Sequence, residues 1–326
     1  MRTILVTGGC GFIGHRVVKY ILDHSADKVI IMDKLSYASK DYRRLSEVGV
    51  YPHPRVEVYP CDLAIPLEDM EALQEVSWVI HLAAETHVDK SIREPVQCIQ
   101  NNVMSTVCLL ELARRLPHLE KFLYFSTDEV YGPALDGRMF GEGDRHRPTN
   151  PYSASKSASE AVCLAYENTY KIPLVICNCM NVLGERQHVE KFLPICIKSI
   201  LENQPITIHS YPGCDRAGSR FYIYVENVAS AIWFLMENGK LGETYHIPGQ
   251  KELSNDELVR IVARKMGVEE PRLEFVDFHS SRPGHDLRYG LDGGKLLELG
   301  WTWEGEIERV VEEVVDWYLE NRGWLE

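Results

Sequence analysis

Thr3-Ile4-Leu5-Val6-Thr7-Gly8-Gly9-Cys10-Gly11-Phe12-Ile13-Gly14 is the stretch from which the fold follows. Its first five residues are apolar or β-branched and read as a buried strand, which the glycines at 8, 11 and 14 interrupt. Glycine at these places allows a tight turn, a close approach of backbone to a pyrophosphate, and near contact between helix and strand. The helix expected next, Ile13–His24, aims its first N–H groups at the same point, with Phe12 and Ile13 at its opening. The following apolar strand, Val29–Asp33, ends on an acid at the distance, about 20 residues, where a carboxylate meets the ribose diol of an adenosine. Asp33 would repel a 2′-phosphate, so the expected cofactor is NAD rather than NADP, with Lys34 beside it softening the repulsion. Two later segments fit the same site. Cys61-Asp62-Leu63 follows a third strand, where Asp62 either meets the adenine amino group or makes only an Asx turn. Leu82-Ala83-Ala84 follows a fourth, where small side chains let a cofactor lie close.

Outward from this start, short apolar runs alternate with longer amphipathic ones. Strands are expected at Thr3–Thr7, Val29–Asp33, Val56–Cys61, Trp78–Leu82, Lys121–Ser126 and Leu174–Asn178, and helices at Ile13–His24, Leu67–Glu75, Cys98–Arg115 and Ser153–Tyr170. This alternation predicts an α/β fold, a Rossmann-type doubly wound parallel sheet over residues 1–180. After Asn181 the rhythm changes to helices at Phe192–Glu202, Val225–Glu237, Asn255–Met266 and Glu306–Tyr318, with short strands and loops between. Residues 181–326 are expected to form mainly a smaller, mixed α/β substrate-binding lobe. Glu243–Ile247 returns as one more strand of the main sheet.

The net charge of -13 lacks the basic footprint of a nucleic-acid binder and disfavours an anionic membrane surface. No apolar run approaches the roughly 20 residues that span a bilayer. Met1-Arg2-Thr3 leads straight into a strand, which leaves no room for a signal peptide, so a cytoplasmic location is expected. The nine cysteines are odd in number, sit mostly in apolar stretches and form no CxxC pair. They read as buried small hydrophobes, and no metal site is expected.

The chemistry is expected at the end of the fifth strand, where Ser126-Thr127-Asp128-Glu129-Val130-Tyr131-Gly132 faces the ligand crevice of an open sheet. Two adjacent carboxyls there are costly unless one is protonated or paired. Pro151 suits the first turn of a helix, and Tyr152 and Lys156, four residues apart, then share one face. An ammonium beside a phenol is expected to lower the tyrosine pKa, and the phenolate could take a proton from a sugar hydroxyl as its carbon loses hydride. Eliminating water needs an acid and a base on one small substrate, and two carboxyls with split pKa values supply both.

Taken together, Gly8–Gly14, His81–Ser91, Ser126–Gly132, Pro151–Lys156 and Ser281–Asp286 resemble the nucleotide-sugar 4,6-dehydratases of the extended short-chain dehydrogenase/reductase superfamily. The nearest likeness is to the dTDP-glucose 4,6-dehydratases, and it covers nearly the whole chain. The resemblance implies that Tyr152 removes the C4 hydroxyl proton, that Lys156 holds Tyr152 and the nicotinamide ribose, and that Thr127 bonds the C4 oxygen. Glu129 would take the C5 proton and a protonated Asp128 would donate to the departing C6 hydroxyl. By the same resemblance, His87, Asn181, Glu190, Lys191 and Arg220 meet the sugar or its diphosphate, and Arg282 and His285 clamp the nucleotide. For His87, and for the matching Asp89, a structural role is equally open. Family members pair through helices equivalent to Cys98–Arg115 and Ser153–Tyr170, so a homodimer through a four-helix bundle is implied.

The match loosens at Tyr211–Ser219, which looks longer than the family's turn, and at Lys251, where the family often has Asn. Both changes were expected near the base, which leaves dTDP, UDP or another carrier open. Two other functions remain at this level. An epimerase or decarboxylase on the same scaffold needs Tyr152 and Lys156 but not the acid pair. A nucleotide-sensing protein would need neither.

Overall fold

The protein is described here from a computed structural model, which covers residues 1–278 and 286–326. Among the described residues the main sheet has seven strands: β1 (Thr3–Thr7), β2 (Lys28–Asp33), β3 (Val56–Pro60), β4 (Val76–His81), β5 (Lys121–Thr127), β6 (Leu174–Cys179) and, from much later in the chain, β10 (Glu243–Ile247). Their order is β10-β6-β5-β4-β1-β2-β3 and every pairing is parallel. This is the doubly wound arrangement, with the strand order reversing between β1 and β4. Both strands end at that crevice.

A parallel sheet must bury both faces, and the strand sequences supply apolar side chains to each. Ile4, Val6 and Ile31 pack on one side with α1 (Phe12–His24) and α7 (Val225–Asn238). Leu5, Ile30 and Met32 pack on the other, where α4 (Pro95–Ala113) and α5 (Pro151–Tyr170) lie against each other. Two short helices, α2 (Arg43–Glu47) and α3 (Val88–Arg93), had no clear periodicity in the sequence because neither reaches two turns.

One expected helix is absent. Residues 67–75 hold only a single 3-10 turn, Glu71–Leu73. Arg115 ties this segment to the end of α4, its guanidinium taking the Leu67 carbonyl at 2.8 Å and the Asp69 carboxylate at 2.8 Å.

The later part of the chain adds β7 (Asn181–Leu183), β9 (Ser219–Tyr224) and β11 (Lys251–Ser254) as one small sheet, and β8 (Ile206–Ser210) with β12 (Leu273–Asp277) as another. Helices α6 (Phe192–Leu201), α8 (Asn255–Lys265) and α10 (Ile307–Glu320) bury Leu193, Ile197, Leu258, Val262, Val311 and Val314 in a core of their own. A short α9 (Gly294–Leu299) packs by β10. No helix among the described residues is long and apolar enough to cross a membrane.

Candidate active site

At the end of β1 the chain turns at Gly8 with φ +70°, a conformation that favours glycine. A Cβ on Gly8 would come within 2.9 Å of the Ala83 backbone, and one on Gly14 within 2.1 Å of the Gly8 carbonyl. The glycines therefore bring the turn against the segment after β4. Asp33, buried at the end of β2, accepts from Cys10 N at 3.0 Å and Leu35 N at 2.8 Å. Those two N–H groups fix its carboxylate on the cavity wall. Asp62 does make an Asx turn, accepting from Ala64 N at 3.0 Å, and it also pairs with Lys34 at 2.8 Å while both line the cavity. Lys34 is thus neutralised by Asp62 and does not soften the charge of Asp33.

The cavity has a volume of about 520 Å³ and runs from the glycine turn, across the ends of β4, β5 and β6, to β9. Gly8, Gly11, Phe12, Ile13, Gly14, Asp33, Lys34, Asp62, Leu63, Leu82, Ala83 and Ala84 line one end of it. Thr127, Asp128, Glu129, Tyr152 and Lys156 line its middle, and His87, Asn181, Glu190, Lys191 and Arg220 the rest. Arg282 and His285 lie outside the described residues.

At the middle, Thr127 caps the 3-10 turn Asp128–Tyr131, accepting from Glu129 N at 3.3 Å and donating to Asp128 Oδ1 at 3.0 Å. Asp128 is buried and its Oδ2 has no partner among the described residues. Burial, and then the neighbouring charge of Glu129, raise its pKa from 3.8 to about 7. Glu129 differs. Protein surrounds it and burial pushes its pKa up, yet it keeps some contact with the cavity. Donors that favour its carboxylate reach Oε2, Asn150 Nδ2 at 3.2 Å and the Tyr289 hydroxyl at 3.4 Å. Adjacent carboxyls in unlike surroundings are what an acid and a base require.

Helix α5 begins with a capping box, in which the Asn150 side chain accepts from Ser153 N and the Ser153 hydroxyl bonds back to Asn150. Asn150 therefore orients the helix that carries Tyr152 and Lys156 while it also holds Glu129. Tyr152 departs from expectation. Its pKa is well above the usual tyrosine value because of burial and the charges of Glu129 and Asp128, opposed by a hydrogen bond with Thr127. Lys156 is not among the largest influences on it. The ammonium donates to the Phe125 carbonyl at 2.8 Å and sits 4.3 Å over the Tyr124 ring, and burial brings its own pKa down to about 8. Protonating Asp128 removes one of the two charges that oppose the phenolate.

The substrate end is held mainly by backbone. The His87 ring caps α3 by accepting from Lys90 N at 3.3 Å and stands 3.9 Å from Glu190. Lys191 reaches Thr86 O at 3.1 Å. The Arg220 guanidinium donates to Ser219 O and Leu287 O at 2.7 Å and to Asp286 O at 2.6 Å. Asn181 Oδ1 is buried with no partner among the described residues. The two sequence departures lie mostly off the wall of this cavity. Lys251 pairs with Glu308 and is absent from the cavity wall. The turn Pro212–Arg216 is exposed, and its neighbourhood contributes only Gly218 to the wall.

Sequence reasoning passed over Asn150, although an Asn before a Pro at the head of an apolar pattern is a helix-start signal. Asn102 was also missed. From α4 it accepts from Glu85 N at 2.8 Å and donates to the Ser155 hydroxyl at 2.9 Å, tying the segment after β4 to α5. Tyr289 carried no signal, because it reaches Glu129 from 160 residues away.

The model of the NAD dependent epimerase/dehydratase family matches residues 4–247. The chain belongs to that family. The match takes in the cofactor end and the chemical centre, and the family's cofactor, NAD, fits the carboxylate of Asp33 beside a backbone approach that only glycine permits. Among relatives, the dTDP-glucose 4,6-dehydratase of Neisseria meningitidis serogroup B is 38% identical, covering 99% of this chain and 95% of that one. That of Haemophilus influenzae is 36% identical over 98% and 99%. The structure of DesIV, a dTDP-glucose 4,6-dehydratase from Streptomyces venezuelae with NAD and thymidine diphosphate bound, is 35% identical, covers 99% of both chains and superposes with a TM-score of 0.89. Among the described residues no group of three or more His, Cys, Asp or Glu could hold a metal ion.

Proposed function

We propose that this chain dehydrates dTDP-glucose to the dTDP-4-keto-6-deoxy sugar. The observation that carries the reading is the acid pair in the cavity: Asp128, with a pKa near 7 and an oxygen unpaired among the described residues, beside Glu129, whose carboxylate has two donors. An epimerase has no use for such a pair. The nucleotide follows the relatives; of the two sequence features that argued for another carrier, Lys251 is held by Glu308 and Tyr211–Ser219 gives only Gly218 to the cavity wall.

NAD, when bound, would supply a reversible hydride acceptor for the hydrogen that leaves C4 and returns at C6. The glycine turn would hold its pyrophosphate, Asp33 its adenosine ribose, and Lys156 its nicotinamide side. Tyr152, as a phenolate made less costly by a neutral Asp128, takes the C4 hydroxyl proton, with Thr127 bonding the same oxygen, and that proton replaces the one Asp128 gives up. The 4-ketone acidifies C5, and Glu129 removes that proton. Asp128 gives its proton to the leaving C6 hydroxyl, and Glu129 returns the C5 proton to the same carbon. His87, Asn181, Glu190, Lys191 and Arg220 hold the sugar and diphosphate, and Arg282 and His285 the nucleotide. Arg220 spends three of its five N–H groups on backbone carbonyls, which orient the guanidinium and leave further donors for a diphosphate.

The same reading makes the protein a cytoplasmic homodimer. Val96, Ile99 and Met104 on α4 and Leu164 and Tyr170 on α5 are exposed apolar side chains on two helices already packed together, the face from which a four-helix bundle is built. Incubation with dTDP-glucose, UDP-glucose and GDP-mannose, followed by mass spectrometry, tests the function. Loss of one water is expected with dTDP-glucose foremost, and loss from none of the three would overturn it.

A further inference from the structure

Glu160 stands one helical turn beyond Lys156 and two beyond Tyr152, on the same face of α5. It is 3% exposed and has no part in the chemistry assigned above. A carboxyl so deep is costly unless it is hydrogen-bonded or neutral. Its Oε1 accepts from the Ser126 hydroxyl and from Asn178 Nδ2, the latter at 2.8 Å. Asn178 Nδ2 also reaches the Thr127 carbonyl at 3.2 Å, and Lys156 holds the Phe125 carbonyl at 2.8 Å. Phe125, Ser126 and Thr127, three successive residues of β5, are therefore tied to side chains gathered about Glu160. Asp128 and Glu129 come next. The other oxygen, Oε2, lies 3.6 Å from His146 Nε2, and the His146 side chain is 27% exposed.

We infer that Glu160 is a positioning residue of the dehydration: it fixes the end of β5 that presents Thr127, Asp128 and Glu129, and it supplies the negative charge beside the Lys156 ammonium. The inference rests on the reading of the acid pair given above. The titratable groups facing Glu160 are Lys156 and Cys163 on α5, Tyr124 on β5, Tyr131 in the turn after it, Cys177 on β6, and His146. His81 on β4 also faces Lys156. Burial brings Glu160 up to about 7 and Lys156 down to about 8, so both change charge close to neutrality.

The test compares wild type with Glu160→Gln and Glu160→Asp in dTDP-glucose dehydration, reading kcat, KM, the pH profile of kcat and the melting temperature. Glu160→Gln should lower kcat about 10-fold or more with KM within about twofold. Its alkaline limb should move toward acid by about half a pH unit, because Lys156 loses its counter-charge. Glu160→Asp should put the limb back while leaving kcat below wild type. A wild-type kcat and profile in Glu160→Gln overturns the inference, as does a loss of kcat that follows the melting temperature with the limb unmoved. If Glu160→Gln does not fold, Glu160→Asp decides, and an unchanged kcat there overturns it. Absence of water loss in the wild type would instead sink the reading on which the inference rests.

Discussion

Asp128 shows how burial and a like charge beside it can prepare a reagent. The described residues offer Oδ2 no partner and set Glu129 beside it, so the proton stays on to about pH 7. The consequence for stability has a definite sign. The folded-state pKa is raised, so below about pH 4 neither state is ionised and Asp128 costs nothing. As pH rises to about 7 the unfolded chain releases this proton and the folded one does not, and native stability is lost over that window. Asp128→Asn should therefore raise stability at pH 8 by on the order of 1 kcal/mol or more, and leave it unchanged below about pH 4. The same change should lower kcat by about 10²–10⁴-fold, because the leaving hydroxyl loses its acid. Denaturant unfolding at the two pH values, beside turnover, checks both, and a fall in stability at pH 8 would contradict the account. Tyr152 marks the limit of reading at this scale. Its four-residue spacing to Lys156 was legible, but the spacing does not say that a carbonyl of β5 holds the ammonium or that two carboxyls face the phenol.

At the level of elements, the strand–turn–helix start, the strands of the sheet and the positions of Thr127, Tyr152 and Lys156 at strand and helix ends could be read from local periodicity and spacing. What could not be read depends on contacts between distant segments. Residues 67–75, expected as a helix, are tied down by Arg115 from the end of α4, and Lys251 pairs with Glu308 off the cavity wall. Asn150 joins the two scales, since one side chain caps α5 and donates to Glu129. Removing it should cost about 1 kcal/mol of stability through the lost cap. Asn150→Asp keeps the cap but sets a like charge against Glu129. Asn150→Ala should lower both melting temperature and kcat, whereas Asn150→Asp should spare the first and lower the second. Equal kcat in Asn150→Asp and wild type would show that the contact with Glu129 is idle.

Over the whole molecule, the cavity is assembled from the ends of β1, β2, β4, β5 and β6 on one side and from residues of β7, β9 and the 187–193 segment on the other. The cofactor end and the reacting centre therefore share a rigid parallel sheet, and the sugar and nucleotide contacts come from loops and small sheets beyond it. The proposed dimer belongs to this scale. Light scattering at micromolar concentration should give twice the 37.3 kDa of one chain, and Ile99→Glu with Leu164→Glu should return it to monomer. Monomer in the wild type would contradict it.

The central claim is that one cavity removes hydrogen from C4, expels the C6 hydroxyl, and returns that hydrogen to C6. Deuterium at C4 of dTDP-glucose tests it most directly. The product should have lost one water and should carry the deuterium at C6. Deuterium still at C4, with no loss of water, would contradict it.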